Sequence, residues 1–416
     1  MDRRERYHLV QQRIKGNVLV RGLHDRVSGS CNNSRKAISG SILVAEVLDP
    51  SLYESVMVAA AVVCSSGGLT GHMQSICRAR GIPVLRVDSA EISTVTGTVT
   101  LELDTGWVIF DAASSADLKQ PEAPELALED LGSICVVISG LNDIQTVNAT
   151  DPAGIESFFI REEFLFLEFS LRPLDSLNGT PEDAAGYGTA MGDALCRLVS
   201  ALTPGQRVVF RLLDLRSDDA VQISERDFIG VEANPEMGMH GARWLVRSAH
   251  YPLALAALVQ QLKARLGADA GKVSFAMPFV NDAEEFSSLR AHLEADGLPM
   301  AAFIETPAAV HSARDICAAG ASELFVGTKD LVQFYLAADR GNHLVRQSYQ
   351  TRHPAVLDAL SRLVDSTHAY GSRIRVFGLG PDLAHYVRNI PSPDGYMICT
   401  AEFLRLVNDL RIGRPG

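Results

Sequence analysis

Met300-Ala-Ala-Phe-Ile-Glu305 is a run of five apolar residues closed by a single carboxylate, and the same shape recurs elsewhere in the chain. Val208-Val-Phe-Arg-Leu-Leu-Asp214 carries Arg211, and Leu324-Phe-Val-Gly-Thr328 is followed at once by Lys329 and Asp330. Each charged residue falls at or near the C-terminal end of a strand-length apolar run, where barrel enzymes build their sites. One such residue is ordinarily a solvated loop residue. Several at successive strand ends make a site the better explanation.

Working outward, apolar strands alternate with amphipathic stretches from residue 134 onward. The strands expected are 134–139, 156–160, 207–213, 273–278, 300–305, 323–327, 374–379 and 395–399. Most connections between them are long enough to hold a helix, as parallel strands require. Leu253–Leu266, for example, repeats its apolar residues at helical spacing. Eight such units predict an α/β fold with a C-terminal (β/α)8 barrel over 131–416, with a doubly wound sheet as the fallback.

Residues 1–115 read as a smaller domain of short strands, with candidates at 18–20, 41–45, 56–64, 84–87, 98–102 and 107–110. Residues 116–130 have the small, polar, proline-bearing composition of a linker. Within the small domain, Gly67-Gly-Leu-Thr-Gly-His72 lies between the apolar run Val56–Cys64 and a short helical stretch ended by Gly81 and Pro83. His72 is thus expected at a helix N-terminus, where free N–H groups and the positive dipole end suit an anion.

Composition narrows the function classes. Hydrophobic residues make up 47% and charged residues 21% of the 416, as in soluble globular proteins. A net charge of −12 argues against nucleic acid or an anionic membrane as main partner, though not against a local basic pocket. The seven cysteines form no CxxC pair and sit mostly in apolar runs, so a reduced, cytoplasmic protein is expected. No apolar segment reaches membrane-spanning length, and the N-terminus has no signal-peptide pattern.

Together these segments resemble the phosphoenolpyruvate-utilising family, which includes enzyme I of the bacterial sugar phosphotransferase system, phosphoenolpyruvate synthase and pyruvate phosphate dikinase. Residues 61–110, with Gly67–His72 and Ile82-Pro-Val84, are similar to that family's swivelling phosphohistidine domain. The barrel domain is matched by Ile160-Arg-Glu-Glu-Phe-Leu165, Phe210–Asp214, Asn234-Pro-Glu-Met-Gly238, Met277-Pro-Phe-Val280, Phe303–Pro307 and Val326-Gly-Thr-Lys-Asp-Leu331. Ala338-Asp-Arg-Gly-Asn342 and His353-Pro-Ala-Val356 look most like enzyme I.

The resemblance implies that His72 accepts a phosphoryl group, that Glu305 and Asp330 hold Mg2+, and that Arg211 and Arg340 bind phosphoenolpyruvate. Arg161 could line the barrel mouth, Asn234 opens a substrate motif, and Arg78 is placed by analogy to touch a phosphoryl group on His72. Three departures stand out. A substrate-binding arginine is replaced by His240, a titratable anion contact, with Arg243 as a possible compensation. The asparagine before the metal-binding aspartate is Lys329, which reads as a proton donor, a phosphate clamp or a surface lysine. The family's proton-donating cysteine aligns with Phe377 and a nearby glutamate with Leu379, leaving Cys399 as a substitute or a buried core thiol.

Neither a carrier-docking subdomain nor a nucleotide-binding one fits the sequence. The expected activity is a phosphotransferase moving a phosphoryl group through His72 between phosphoenolpyruvate, or a related small acid, and an unidentified acceptor. One alternative is a small-molecule kinase charged by a separate ATP-binding partner. Another is a non-catalytic regulatory relative. A homodimer is expected from the resemblance alone.

Overall fold

The computed structural model describes residues 13–20, 26–34, 36–48, 52–66, 72–110, 126–169, 171–223, 232–293, 297–340 and 343–412. The chain divides into two compact units, Met1–Glu122 and Ala123–Gly416. The linker expected at 116–130 lies outside the described residues as far as 125, and Leu128–Leu131 forms a short 3-10 turn.

In the first unit the strands are β1 (Arg13–Lys15), β2 (Asn17–Val20), β3 (Arg26–Asn32), β4 (Ile42–Val47), β5 (Ala61–Ser66), β6 (Val84–Arg86), β7 (Thr98–Glu102) and β8 (Trp107–Phe110). They form one sheet in the order β1-β8-β7-β3-β4-β5-β6-β2. Its two edges are consecutive in sequence, separated by Gly16. A Cβ at Gly16 would meet Leu85 Cδ2 at 2.5 Å and Arg86 O at 2.7 Å, so a glycine is required where the chain passes from one edge to the other. Ile42, Val63, Leu85, Val99 and Leu101 fill the core beneath the sheet.

Strand β1 was not among the expected strands, and two further details differ from the sequence expectation. The apolar run 56–64 is not one strand: Tyr53–Val58 is a helix that buries Val56, and β5 begins at Ala61. A short apolar run satisfies either conformation, and packing decides. Strand β3, which was not expected, is polar and largely solvent-facing, held by antiparallel pairing with β7 and parallel pairing with β4. The Gly67–Gly71 turn lies outside the described residues; the helix after it runs His72–Arg80 and stops at Gly81, whose φ is 68°.

The second unit is a (β/α)8 barrel. Its strands are β9 (Ile134–Val137), β10 (Ile155–Arg161), β11 (Arg207–Arg211), β12 (Val273–Met277), β13 (Met300–Ile304), β14 (Leu324–Val326), β15 (Ile374–Phe377) and β16 (Gly395–Cys399). Each pairs in parallel with the next, and β16 closes onto β9 through Met397–Cys135 and Cys399–Val137. Closure excludes the doubly wound alternative. Alternate residues face inward, and Val137, Phe159, Val209, Ala276, Phe303, Phe325 and Met397 make an apolar interior. The Phe159 ring stacks 5.4 Å from Phe303 and lies 5.8 Å from Phe325.

Below this layer, at the N-terminal strand ends, arginines and glutamates pair with one another. Arg375, with no exposed surface, bonds Glu323 at 2.6 Å, the Ser133 carbonyl at 2.7 Å and lies 2.8 Å from Glu156. Arg373 grips Glu156 through both Nη atoms at 2.7 and 2.6 Å, and Arg207 reaches Glu323 from the other side. Burial favours the neutral form of Glu156, yet the two arginines hold its carboxyl well below the ordinary range. Removing one partner strands a buried charge. Glu323→Ala is expected to destabilise the barrel by about 3–5 kcal/mol in urea unfolding; a loss under 1 kcal/mol would mean the floor network is dispensable.

Candidate active site

The opposite, C-terminal end of the barrel gathers the residues singled out in the sequence. Arg161 ends β10, Arg211 ends β11, Glu305 follows β13, and Lys329 and Asp330 lie in the helix Thr328–Leu336 that follows β14. Gly327 makes the last approach possible: a Cβ there would meet Phe303 Cε1 at 2.6 Å and Glu305 Oε1 at 2.8 Å. Ala337, with φ of 48°, then reverses the chain so that Arg340 Nη2 meets Asp330 Oδ1 at 2.8 Å.

Arg211 is buried and doubly paired. Nη2 donates to Glu163 Oε1 at 3.1 Å and Nη1 lies 3.1 Å from Asp214 Oδ2. Burial alone would lower its pKa; Glu163, Asp214, Glu305 and Asp330 outweigh it and raise the guanidinium above its ordinary value. Asp214 is opposed by burial but held well below its range by Arg211 and His240. Its backbone N–H also donates to Glu163 Oε1 at 2.7 Å.

His240 is nearly buried and uses both ring nitrogens. Nδ1 is 2.8 Å from Asp214 Oδ1 and Nε2 is 3.1 Å from the Glu236 carbonyl oxygen. Both neighbours accept only, so both nitrogens donate and the ring is an imidazolium. Desolvation opposes this charge, but Asp214 wins and lifts the pKa to about 9. The expected anion contact is therefore already engaged with the protein. Arg243, weighed as a compensation, donates to the carbonyls of Met237 and Gly238 at 2.9 and 3.2 Å and lies 5.3 Å from the Phe279 ring.

Arg161 is different. Among the described residues no carboxylate reaches its guanidinium within ion-pair distance, and its buried Nε has no hydrogen-bond partner. The Phe164 ring lies 5.6 Å away. Burial and the neighbouring Arg211 cation pull its pKa down to about 10, against the more distant pull of Glu163, Glu305 and Asp330. Buried Nε atoms of Arg211 and Arg340 also lack partners.

Glu305 is 2% exposed, and its Oε2 accepts the Phe279 N–H at 3.2 Å. Phe279 adopts φ of 56°, a strained conformation for a bulky residue that aims this N–H at the carboxylate. Burial, then the Asp330 carboxylate, push the Glu305 pKa well above its ordinary value despite Arg211. Two hard oxygen donors in mutual repulsion, one just after β13 and one in the first turn of the helix after β14, suit a divalent cation such as Mg2+. Among the described residues no trio of His, Cys, Asp or Glu forms a protein-only metal cage, so ligand and water would complete the shell.

The other expected residues scatter. Lys329 Nζ sits 5.0 Å from the Phe377 ring centre, and Phe377 and Leu379 pack on the apolar interior. Cys399 is buried in that same interior at the end of β16. Asn234 is exposed and outside the network. The backbone of His72 begins its helix, while its side chain lies outside the described ones; Arg78, on the same helix, donates to Leu19 O at 3.4 Å.

Sequence reasoning passed over Glu162, Glu163, Glu236, Phe279 and Gln333. Glu162 is buried and accepts from Tyr187 and Tyr251 at 2.7 and 2.6 Å. Burial raises its pKa from 4.5 to about 7, the tyrosine bonds opposing. A raised folded-state pKa gives stability that is whole below pH 4.5 and lost as pH climbs through about 7. Glu162→Gln should flatten the unfolding free energy across that window in urea titrations, whereas an unchanged slope would show that Glu162 is ionised throughout.

Comparison with known proteins follows the division into two units. The model of the phosphoenolpyruvate-utilising enzyme PEP-binding domain matches residues 119–382, and that of the mobile domain matches 38–112. A probable phosphoenolpyruvate synthase of Archaeoglobus fulgidus is 24% identical over 94% of this chain and 53% of its own length. A phosphoenolpyruvate-protein phosphotransferase of Haloferax volcanii is 30% identical over 79% of this chain and 59% of its own. A multiphosphoryl transfer protein of Xanthomonas campestris pv. campestris is 28% identical over 76% of this chain and 38% of its own. The chain thus spans between 38% and 59% of the length of these curated relatives. A solved citrate lyase of Burkholderia xenovorans superposes with a TM-score of 0.41 at 15% identity, covering 69% of this chain and 80% of that one.

Proposed function

We infer from membership of the phosphoenolpyruvate-utilising enzymes, the family to which this chain belongs, that the protein is a phosphotransferase working through His72. The barrel mouth would bind phosphoenolpyruvate or a related phosphorylated small acid, and the small unit would carry the phosphoryl group to or from a second molecule. The observation that carries this reading is Arg161, a half-buried side chain at the end of β10 whose buried Nε has no hydrogen-bond partner and whose guanidinium has no carboxylate within ion-pair distance among the described residues. A desolvated cation of this kind is stabilised by an incoming anion, and its planar fork suits phosphoryl or carboxylate oxygens.

In the forward direction a ring nitrogen of His72 attacks phosphorus in line. The P–N bond forms as the bond to the bridging enolate oxygen breaks, and the enolate takes a proton to become pyruvate. Arg161 and the unpartnered Nε atoms of Arg211 and Arg340 would hold the transferring oxygens, and Glu163 and Asp214 keep Arg211 in place. Glu305 and Asp330 would hold Mg2+, which supplies charge neutralisation for the phosphoryl group. Phe377 offers no proton, and Lys329 Nζ lies 5.0 Å from its ring centre. That replacement favours a second reading: a separate ATP-binding partner charges His72, and the barrel phosphorylates a small acceptor that needs no enolate protonation.

Intact-mass spectrometry at neutral pH tests the first reading. After incubation with Mg2+ and phosphoenolpyruvate, wild type should gain one phosphate and His72→Ala none; no adduct on wild type sinks phosphoenolpyruvate as direct donor. In thermal-shift titrations Mg2+ and phosphoenolpyruvate should stabilise wild type jointly, an effect lost in Glu305→Ala. Arg161→Met should weaken phosphoenolpyruvate roughly tenfold to a hundredfold, as expected for a charged hydrogen bond. Unaltered affinity would remove Arg161 from the site.

A further inference from the structure

We propose that His240 is a positioning residue that couples Arg211 to Arg340 through the 232–240 loop, and that it does not touch the ligand. The proposal follows the hydrogen bonds. From Arg211 the path runs to Asp214 Oδ2 at 3.1 Å, and from Asp214 Oδ1 to His240 Nδ1 at 2.8 Å. His240 Nε2 donates to the Glu236 carbonyl at 3.1 Å, and Glu236 Oε2 accepts from Gln333 Nε2 at 3.1 Å. Gln333 Oε1 accepts the Arg340 backbone N–H at 3.1 Å, and the Arg340 guanidinium ends the path on Asp330 Oδ1 at 2.8 Å. The path joins the end of β11 to the loop before Arg340, and His240 is where it crosses between them.

Every group facing the ring supports the bridging role. Asp214 and the Glu236 carbonyl take both donors, and the Glu236 carboxylate is turned away to Arg216 and Gln333. The Phe279 ring covers one face at a centroid distance of 4.4 Å. The Glu305 carboxylate acts on the ring only through its field. Gly241 keeps the approach close: its φ is 55°, and a Cβ there would meet Phe279 Cβ at 2.7 Å and Asp214 Oδ1 at 3.1 Å. With both donors used and one face covered, no N–H remains to reach an anion in the mouth.

A neutral ring donates from one nitrogen only, so one arm of the bridge opens when the proton leaves. The proton is held up to about pH 9. The coupling of arginines is a matter of the folded protein alone; its meaning for the ligand rests on the reading of Arg211 and Arg340 as ligand contacts.

Two measurements on the full chain separate these levels. Nitrogen-15 NMR of the ligand-free protein should find both His240 nitrogens protonated at pH 7.5. A neutral ring there overturns the proposal whether or not phosphoenolpyruvate binds. Hydrogen exchange at the Arg340 amide should accelerate about tenfold in His240→Gln, the loss of one charge-assisted bond, and return toward wild type in His240→Arg. Exchange at Arg340 that ignores position 240 refutes the coupling. If phosphoenolpyruvate with Mg2+ binds, the His240 resonances should keep their pKa on saturation, whereas a rise of a full unit would make His240 a direct contact.

Discussion

The charged mouth of the barrel stands on an apolar layer two residues below it along each strand. Closing eight parallel strands turns alternate side chains inward, so Phe159, Val209 and Phe303 are each followed two positions later by Arg161, Arg211 and Glu305. Two positions earlier on the same register lie Arg207 and, on β15 beneath Phe377, Arg375. Charge, hydrocarbon, charge is the sequence of layers along the axis. The hydrocarbon layer keeps water from running through the barrel, so the ion pairs on each side are strengthened by low dielectric and separated from one another.

The two charged ends differ in how far their charges are matched. At the floor, Arg375, Arg373 and Arg207 share Glu156 and Glu323. At the mouth the pairing is incomplete: Arg161 has no carboxylate within reach among the described residues, and Glu305 and Asp330 repel. Backbone strain is concentrated there too, since Phe279 and Ala337 are the non-glycine residues with positive φ among those described. An unmatched cation, a crowded carboxylate pair and two strained residues at one end of the barrel support the proposed reading of that end as the site of a doubly charged ligand and a cation.

The barrel was legible because its strands are buried on both faces, which makes them continuous apolar runs ended by conspicuous charges. Its eight strands fall within a few residues of where the apolar runs place them. The small unit was harder. Strand β3, Arg26–Asn32, is half solvated and polar, so its place in the sheet comes from pairing with β4 and β7 and leaves no trace in hydropathy. Val56–Val58 is apolar for a different reason, the packing of the short helix Tyr53–Val58, and no periodicity separates so few helical residues from the strand that follows. In the site, charged residues at strand ends could be named in advance, but their partners could not. Glu163, Glu236 and Gln333 act by accepting or passing on a hydrogen bond, a role visible only once the loops are folded.

That blindness to partners explains why position 240 reads differently in sequence and in structure. Set against the family arginine, a histidine looks like a weakened anion contact. In the fold it retains the positive charge and redirects it, onto Asp214 and the Glu236 carbonyl. An arginine carries five donors and could hold Asp214 while still reaching a ligand; an imidazolium carries two, both used. The charge that quenches Asp214 is therefore kept, and on the proposed reading the grip on an anion would pass to guanidinium groups with donors left over, Arg161 foremost. Lys329 over the Phe377 ring is a second rearrangement of the same kind, a cation placed against hydrocarbon at the strand end where the family has a thiol. The first change keeps the charge of the mouth and the second adds to it, and both alter which atoms can reach a ligand.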